Sequence, residues 1–427
     1  MMESQYWTPS QMLAYQRHQL EQLLHHAKAN VPFYKTRLDP VFKSNGDIDW
    51  SRWHEIPIVK RHNLVNDRES MLASQLPPGH GPTREVFSSG SSGTPIITTH
   101  SNYAGWVSAQ AVHRAQRWHD LDWSQNMVEL RGVEGERGLW PTGEINASWA
   151  PTWLAADLCG NSYTLSRSTP NEQVIEYVLR KKAVYLSSRP KNLQSIALTV
   201  EHLNIAYKPE VIILFGAGVT DDERADFHRV FGARVMSNYS SGEGYKMGNS
   251  CETGNHYHIN SEIVFLEILD DEDKPCPIGQ PGRVVITPIF STAQPLIRYE
   301  QGDIAVRGPN CSCGKTLPVL QEISGRITHL FRFPDGRKIA PFLPDEEFNK
   351  GFGSKTWQLV QMGPLAVELR YVRTDQKTVI DEPFAKDMIH QRIHPGIQVT
   401  FVQLAATPFT PAGKFIQYKS ELPSAKQ

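Results

Sequence analysis

Eight residues from Ser88 to Pro95 read Ser-Ser-Gly-Ser-Ser-Gly-Thr-Pro. Ser88, Ser89, Ser91, Ser92 and Thr94 offer hydroxyl donors, and Gly90 and Gly93 let the backbone approach a ligand closely and turn through positive φ. No carboxylate interrupts the run. Its ligand class is a polyphosphate, whose oxygens need many donors and no neighbouring negative charge. The alternative is a flexible Ser/Gly hairpin or linker. The loop is not a Walker A motif: G-x-x-x-x-G-K-[ST] is absent, and the pair Gly413-Lys414 is followed by Phe415 without the earlier glycine.

A second set of residues has metal-ligand chemistry. The five cysteines (Cys159, Cys251, Cys276, Cys311 and Cys313) are too sparse and odd in number for a disulfide framework. Cys251 and His256 lie five apart, and Cys311-Ser312-Cys313-Gly314 supplies two more thiols. Together they form a Cys₃His set suited to a closed tetrahedral Zn²⁺ site, with His258 as the alternative to His256. The competing reading is reduced thiols packed in a core. A nucleophilic cysteine is not expected, since no base is partnered with one.

The elements that must position these residues follow from the apolar pattern. Residues 10–28 have the spacing of a helix, with Leu13, Leu20, Leu23 and Leu24 recurring along it. Val86-Phe87 and Ile96 to Thr99 are short strands on either side of the loop, and a helix is predicted over 99–120. Residues 121–165 are loop-rich, and Trp123, Trp140, Trp149 and Trp153 are candidates either for an apolar acyl pocket or for core packing. From 170 helices and strands alternate: Gln173 to Lys182, Val184 to Leu186, Pro190 to Leu203, Val211 to Phe215, Asp221 to Phe231, Arg234 to Met236. That alternation implies an α/β fold with parallel sheet and crossover helices. Ligands in such sheets sit beyond the carboxyl ends of strands, where Gly216, Ala217, Gly218 and Asn238 to Glu243 fall. After 262 the pattern turns to β, with strands expected at Ile263 to Leu269, Gly282 to Pro288 and Leu296 to Arg298. A boundary is expected near Gly325-Arg326, dividing a large domain (1–325) from a small α+β one (326–427) that opens with a hairpin around Pro334-Asp335-Gly336.

Lys plus Arg number 44 against 45 Asp plus Glu, so no overall field favours nucleic acid or an anionic membrane. No apolar run reaches the ~20 residues of a membrane span, and the start has no signal-peptide shape. A cytoplasmic protein is expected.

The loop at 88–95 resembles the [ST]-[ST]-G-[ST]-[ST]-G-x-P motif of the ANL superfamily of adenylate-forming enzymes, with Thr94 where Lys is frequent. Further motifs follow in family order. Tyr239 to Glu243 resembles Y-G-x-[ST]-E, with Ser240 and Gly242 as departures. Arg298 to Asp303 resembles R-Y-x-x-G-D, and Gly325-Arg326 resembles the hinge G-R, with Thr328 and His329 departing from the family. Thr410 to Phe415 resembles the C-terminal G-K motif. The stretches A-K-A-N-V-P-F-Y-K-T-R-L and I-P-I-V-K-R-H-N-L place the resemblance on the phenylacetate–CoA ligase-like branch. It extends to coenzyme F390 synthetases and capsule-biosynthesis proteins of the CapK type.

The resemblance implies an ATP- and Mg²⁺-dependent ligase that converts a carboxylic acid to an acyl-adenylate. Ser88 to Thr94 would cradle phosphates, Tyr239 stack on adenine beside Asn238 and Ser240, Asp303 hold the ribose, Glu243 hold Mg²⁺, Arg326 lie near ribose or phosphate, and Lys414 bridge carboxylate and α-phosphate. Gly216, Ala217 and Gly218 complete the nucleotide site. The implied acceptor is CoA; the altered hinge loop keeps an amine acceptor open, as an acyl-transfer role in polysaccharide biosynthesis and a degenerate nucleotide-binding protein also stay open. Similar Cys and His positions in this branch favour the zinc reading; relatives are often dimers, so a homodimer stays open, and the sequence does not read the oligomeric state.

Overall fold

The computed structural model describes residues 1–87, 96–132, 137–146, 149–216, 218–219, 221–326, 331–339, 341, 343, 345–354, 356–373, 379–408 and 416–422. The first helix, α1 (Pro9–Asn30), starts at a capping box in which Thr8 and Gln11 exchange side-chain and backbone bonds, and Pro9 presets the first turn. Its buried face carries Leu20, Leu23, Leu24 and Ala27. A short helix α2 (Arg61–Asn66) leads to the antiparallel pair β1 (Thr83–Phe87) and β2 (Ile97–Ser101). Helix α3 (Asn102–Trp118) follows, N-capped by the Ser101 hydroxyl.

The alternating region comprises β3 (Met127–Arg131), β4 (Glu144–Asn146), β5 (Ser162–Ser166), α4 (Asn171–Arg180), β6 (Tyr185–Ser188), α5 (Pro190–His202), β7 (Val211–Leu214), α6 (Asp221–Phe231) and β8 (Arg234–Ser241). It continues into β9 (Tyr245–Ser250), β10 (Tyr257–Ile259), β11 (Val264–Leu269), β12 (Pro281–Pro288), β13 (Tyr299–Arg307) and β14 (Val319–Arg326). Among the described residues these make one twelve-stranded sheet, ordered β11-β12-β13-β14-β10-β9-β8-β7-β6-β3-β5-β4. From β5 through β3, β6 and β7 to β8 the pairing is parallel, as the strand–helix alternation requires. At β8–β9 it turns antiparallel and stays so to β11. The uncharged run of β7 is a strand covered on both faces. Phe227 and Phe231 of α6 pack into the same core as Ile212 and Leu214.

Two expectations change. The loop-rich stretch 121–165 holds β3, β4 and the start of β5. Leu296 to Arg298 is not a strand: Arg298 has φ of 53°, and its buried guanidinium donates to the carbonyls of His54 (2.6 Å) and Ile56 (2.9 Å). The arginine of the R-Y-x-x-G-D stretch thus fastens the N-terminal segment to the sheet, and β13 begins one residue later.

After β14 come a hairpin of β15 (Phe331–Arg332) and β16 (Lys338–Ile339), α7 (Asp345–Phe352), β17 (Thr356–Gly363), β18 (Ala366–Val372), α8 (Glu382–Arg392), β19 (Gln398–Gln403) and β20 (Tyr418–Ser420). Strands β19-β18-β17-β20 form their own four-stranded sheet. Its core of Phe348, Phe352, Trp357, Leu359, Leu369 and Ile389 is a cluster separate from those of the large sheet.

Candidate functional site

The carboxyl end of β8 and the strands β13 and β14 bring together motifs far apart in sequence. Tyr239, near the end of β8 and buried, donates its hydroxyl to Oδ2 of Asp303 on β13 at 2.8 Å. Asp303 stands opposite Arg326, the last residue of β14, in the antiparallel register. Gly302, at φ of 84°, gives the left-handed backbone of an irregular stretch of β13 just before the carboxylate. Beside Tyr239, the side-chain oxygen of Asn238 is buried with no hydrogen-bond partner among the described residues. An orphaned acceptor of this kind costs about 1–3 kcal/mol unless a ligand donor fills it, which an exocyclic amine of a purine does. Gly216, at φ of 76°, follows the carboxyl end of the adjacent parallel strand β7. The Glu243 carboxylate is buried in the β8–β9 turn, where the Gly244 N–H donates to the Ser241 hydroxyl at 2.8 Å. A buried carboxylate and an adjacent acceptor-rich corner suit a nucleotide with a hard divalent cation such as Mg²⁺.

No family model matches the chain. Phenylacetate-coenzyme A ligase of Thermus thermophilus is 24% identical over 331 residues, spanning 73% of this chain and 70% of that protein. 2-Hydroxyisobutyryl-CoA ligase, solved in the postadenylation state with R3-HIB-AMP, superposes over 98% of this chain and 91% of its own with a TM-score of 0.76 at 16% identity. The amide bond synthetase McbA of Marinactinospora thermotolerans covers 77% of this chain and 66% of its own, with a TM-score of 0.53 at 15% identity. The chain has the fold of the adenylate-forming ligases.

Within this adenylate-forming fold, Asn238, Tyr239, Ser240, Glu243, Asp303 and the backbone of Arg326 converge around the end of β8, and Gly216 and Gly218 follow the neighbouring strand. Ser88, Ser89, Gly90, Ser91, Ser92, Gly93, Thr94, Ala217 and Lys414 lie outside the described residues, as do Thr328 and His329. Next to the corner is an open cleft of about 190 Å³ with Gly242 at its lip. It is lined by Arg84, His100, Ser108, Ser240, Tyr245 and Lys246, of which the sequence motifs point only to Ser240. The available signal was Lys246, three residues beyond Glu243, on the strand that continues the motif. None of the four tryptophans of 121–165 lines this cleft. Trp149 instead packs on Tyr185 (5.3 Å between rings), and Trp153 is 63% exposed.

The adenylate-forming fold also assembles the cysteine constellation. Ligand atoms of Cys251, His258, Cys311 and Cys313 all lie within 4.8 Å of one another. The Cys251 and Cys311 sulfurs are 3.8 Å apart, and Cys313 Sγ is 3.3 Å from Nε2 of His258. Nδ1–H of His258 donates to the Leu317 carbonyl at 3.3 Å, which leaves the Nε2 lone pair facing the sulfurs. His256, the first choice from spacing, is not in the set; its ring lies 5.2 Å from that of His258. His258 lies on β10, where the returning chain meets it at the Leu317 carbonyl, whereas His256 precedes the strand. Burial works against a Cys251 thiolate, yet hydrogen bonds from His258, when that ring is protonated, and from Thr253 outweigh it and bring this thiol down to about 6. Burial pushes Cys313 up to about 12. A dication at this cluster would favour the Cys313 thiolate that burial opposes. Three sulfurs and a nitrogen are a fitting donor set for Zn²⁺.

No described helix is long and apolar enough to cross a membrane.

Proposed function

We propose that the chain is an AMP-forming ligase that activates a small-molecule carboxylic acid and passes the acyl group to CoA. In the first step a carboxylate oxygen attacks the α-phosphorus of ATP, the bond to the bridging oxygen breaks, and pyrophosphate leaves with its electron pair. In the second the CoA thiol, losing its proton, attacks the acyl carbon, and AMP departs as the thioester forms. Protein catalysis of both steps is positioning and stabilisation of developing negative charge.

The observation that carries this reading is the Tyr239–Asp303 hydrogen bond at 2.8 Å with Arg326 in register opposite, which unites three separate motifs in one corner. In this reading Asn238 accepts from the adenine amine, Tyr239 covers the base and orients Asp303, and Asp303 accepts from the ribose hydroxyls. Glu243 holds Mg²⁺, which neutralises phosphate charge when bound. Ser88 to Thr94 contact the β- and γ-phosphates, and Lys414 joins carboxylate to α-phosphate as a mobile point charge. Residues 1–325 form the adenylation domain and 326–427 a smaller domain that swings about Gly325-Arg326. Cys251, His258, Cys311 and Cys313 hold a structural Zn²⁺ that pins the β13–β14 connection. The enzyme works in the cytoplasm and as a homodimer.

The first test is carboxylate-dependent ATP–pyrophosphate exchange without acceptor, across aryl, indolyl and aliphatic acids. Exchange with at least one acid, lost in Lys414→Ala, is the expected result; CoA or an amine then added to the pre-formed adenylate identifies the acceptor. ATP binding without exchange from any acid would sink the reading in favour of a degenerate nucleotide-binding protein.

A further inference from the structure

The cleft beside Gly242 has a chemistry of its own. Arg84 reaches it from β1, His100 from β2, Ser108 from α3, Ser240 from β8, and Tyr245 and Lys246 from β9. Among the described residues, no carboxylate lines it. Burial, with the Arg84 charge nearby, pushes the His100 imidazole down to about 4, so this ring is neutral at pH 7. The cations are therefore Arg84 and Lys246. Lys246 is half-buried, and burial followed by the neighbouring Arg131 pulls its pKa down. The nearest carboxylate acting on it, Glu129, already accepts from Arg131 Nε at 2.6 Å. Among the described residues, Lys246 and Arg84 have no ion pair. A desolvated ammonium in a cleft with hydroxyls and a guanidinium is stabilised by an incoming anion.

The cleft is open, and its volume of about 190 Å³ accommodates a short acid. Gly242 lies beside Glu243 in the β8–β9 turn, so an acid seated here borders the nucleotide corner.

Resting on the adenylation reading, we propose that this cleft is the acyl pocket and that Lys246 and Arg84 select a small carboxylic acid carrying a second anionic group, a dicarboxylate being the simplest case. The aromatic stretch 121–165 does not supply the pocket, and an apolar aryl acid leaves both cations without a partner. Anionic oxygens also occur on ATP, and the test must separate the two sources.

The experiment is ATP–pyrophosphate exchange by the full chain with matched pairs: succinate and butyrate, glutarate and valerate, phthalate and benzoate. For the preferred pair, the wild type is expected to favour the diacid by at least ~10-fold in kcat/KM, the range of a charge-assisted hydrogen bond. Lys246→Gln and Arg84→Gln each lower the diacid-to-monoacid ratio ~10-fold or more, and Lys246→Arg retains most of it. A wild-type preference for the monoacids overturns the proposal and leaves adenylation intact. So does a ratio unchanged in the Arg84→Gln, Lys246→Gln double variant. A rise in the KM for ATP of equal size with every acid gives the cations to the nucleotide phosphates instead, and also overturns it. No exchange with any acid removes the adenylation reading, and this proposal with it.

Discussion

Replacing Arg114 by Met should destabilise the protein far more than an average substitution, although Arg114 touches no part of the nucleotide corner. Its side chain is 1% exposed and that of Glu262 5% exposed. Arg114 Nη1 donates to Glu262 Oε1 at 2.5 Å, while Nη2 donates to Asn260 Oδ1 at 2.5 Å and to Glu262 Oε2 at 3.2 Å. The Ser4 hydroxyl completes the carboxylate's partners at 2.6 Å. Arg114→Met strands a buried charge, which costs about 3–5 kcal/mol. With an unfolding entropy of ~2.1 cal/mol/K per residue, a chain of 427 residues has roughly 0.9 kcal/mol/K, so Tm falls by about 3–6 °C. The Arg114→Met, Glu262→Met double variant removes both charges and should recover part of that loss. Recovery is incomplete because Ser4 and Asn260 each lose a partner. Thermal unfolding followed by circular dichroism across the four proteins of the cycle measures this coupling. A shift below ~1 °C in the single variant, or a double variant equal to the sum of the singles, would refute the argument that the pair is desolvated and interdependent.

Other outcomes follow from the site. Tyr239→Phe removes the hydroxyl that orients Asp303 and should raise the KM for ATP by roughly 3- to 10-fold, while Asp303→Ala raises it further; equal KM values in all three proteins would detach this corner from the nucleotide. Cys313→Ser should lower the zinc retained after dialysis, read by elemental analysis, whereas His256→Ala should keep it; loss in both would restore His256 as a ligand. His100 and His119 are held near 4, chiefly by burial, against 6.5 for a free imidazole. Their folded-state pKa values are depressed, so the stability they permit is present above pH 6.5 and is lost as pH falls through 4. At ~1.4 kcal/mol per unit each costs on the order of 3 kcal/mol at the acid end. Denaturant midpoints of the wild type and His119→Asn between pH 7 and pH 4 should therefore converge as pH drops, and parallel curves would disprove it.

Much of the fold was legible because local pattern and tertiary demand agree. The run Val211 to Leu214 and the Asp221–Phe231 helix occur where periodicity put them, since a parallel strand and its crossover helix each carry a complete apolar signal. The strand β3 was hidden because Glu129 and Arg131, which pair with each other, break its apolar run. Arg298 misled for a related reason: a strand-like flank conceals a left-handed residue whose cation is satisfied by carbonyls more than two hundred positions earlier. The family-like motifs singled out Tyr239, Glu243 and Asp303, and the fold sets Tyr239 against Asp303. The cleft cations were missed, since Arg84 and Lys246 become neighbours only when the β1–β2 pair closes over the β8–β9 turn. Spacing also ranked His256 above His258; choosing between two imidazoles two positions apart needs the path of the returning chain, which no local pattern encodes.

The register that sets Asp303 opposite Arg326 has a mechanical consequence. A backbone ladder pair couples two strands more directly than a side-chain contact, which can rotate away; the register shift between Ile304 and Ala305 leaves this pair at the end of a short regular run. If Asp303 holds the ribose as proposed, the sugar's anchor and the last described residue of β14 are one ladder pair, with no residue between them. A pull on the sugar would then reach the end of β14 in a single step, and nucleotide occupancy would bear directly on where the large sheet ends.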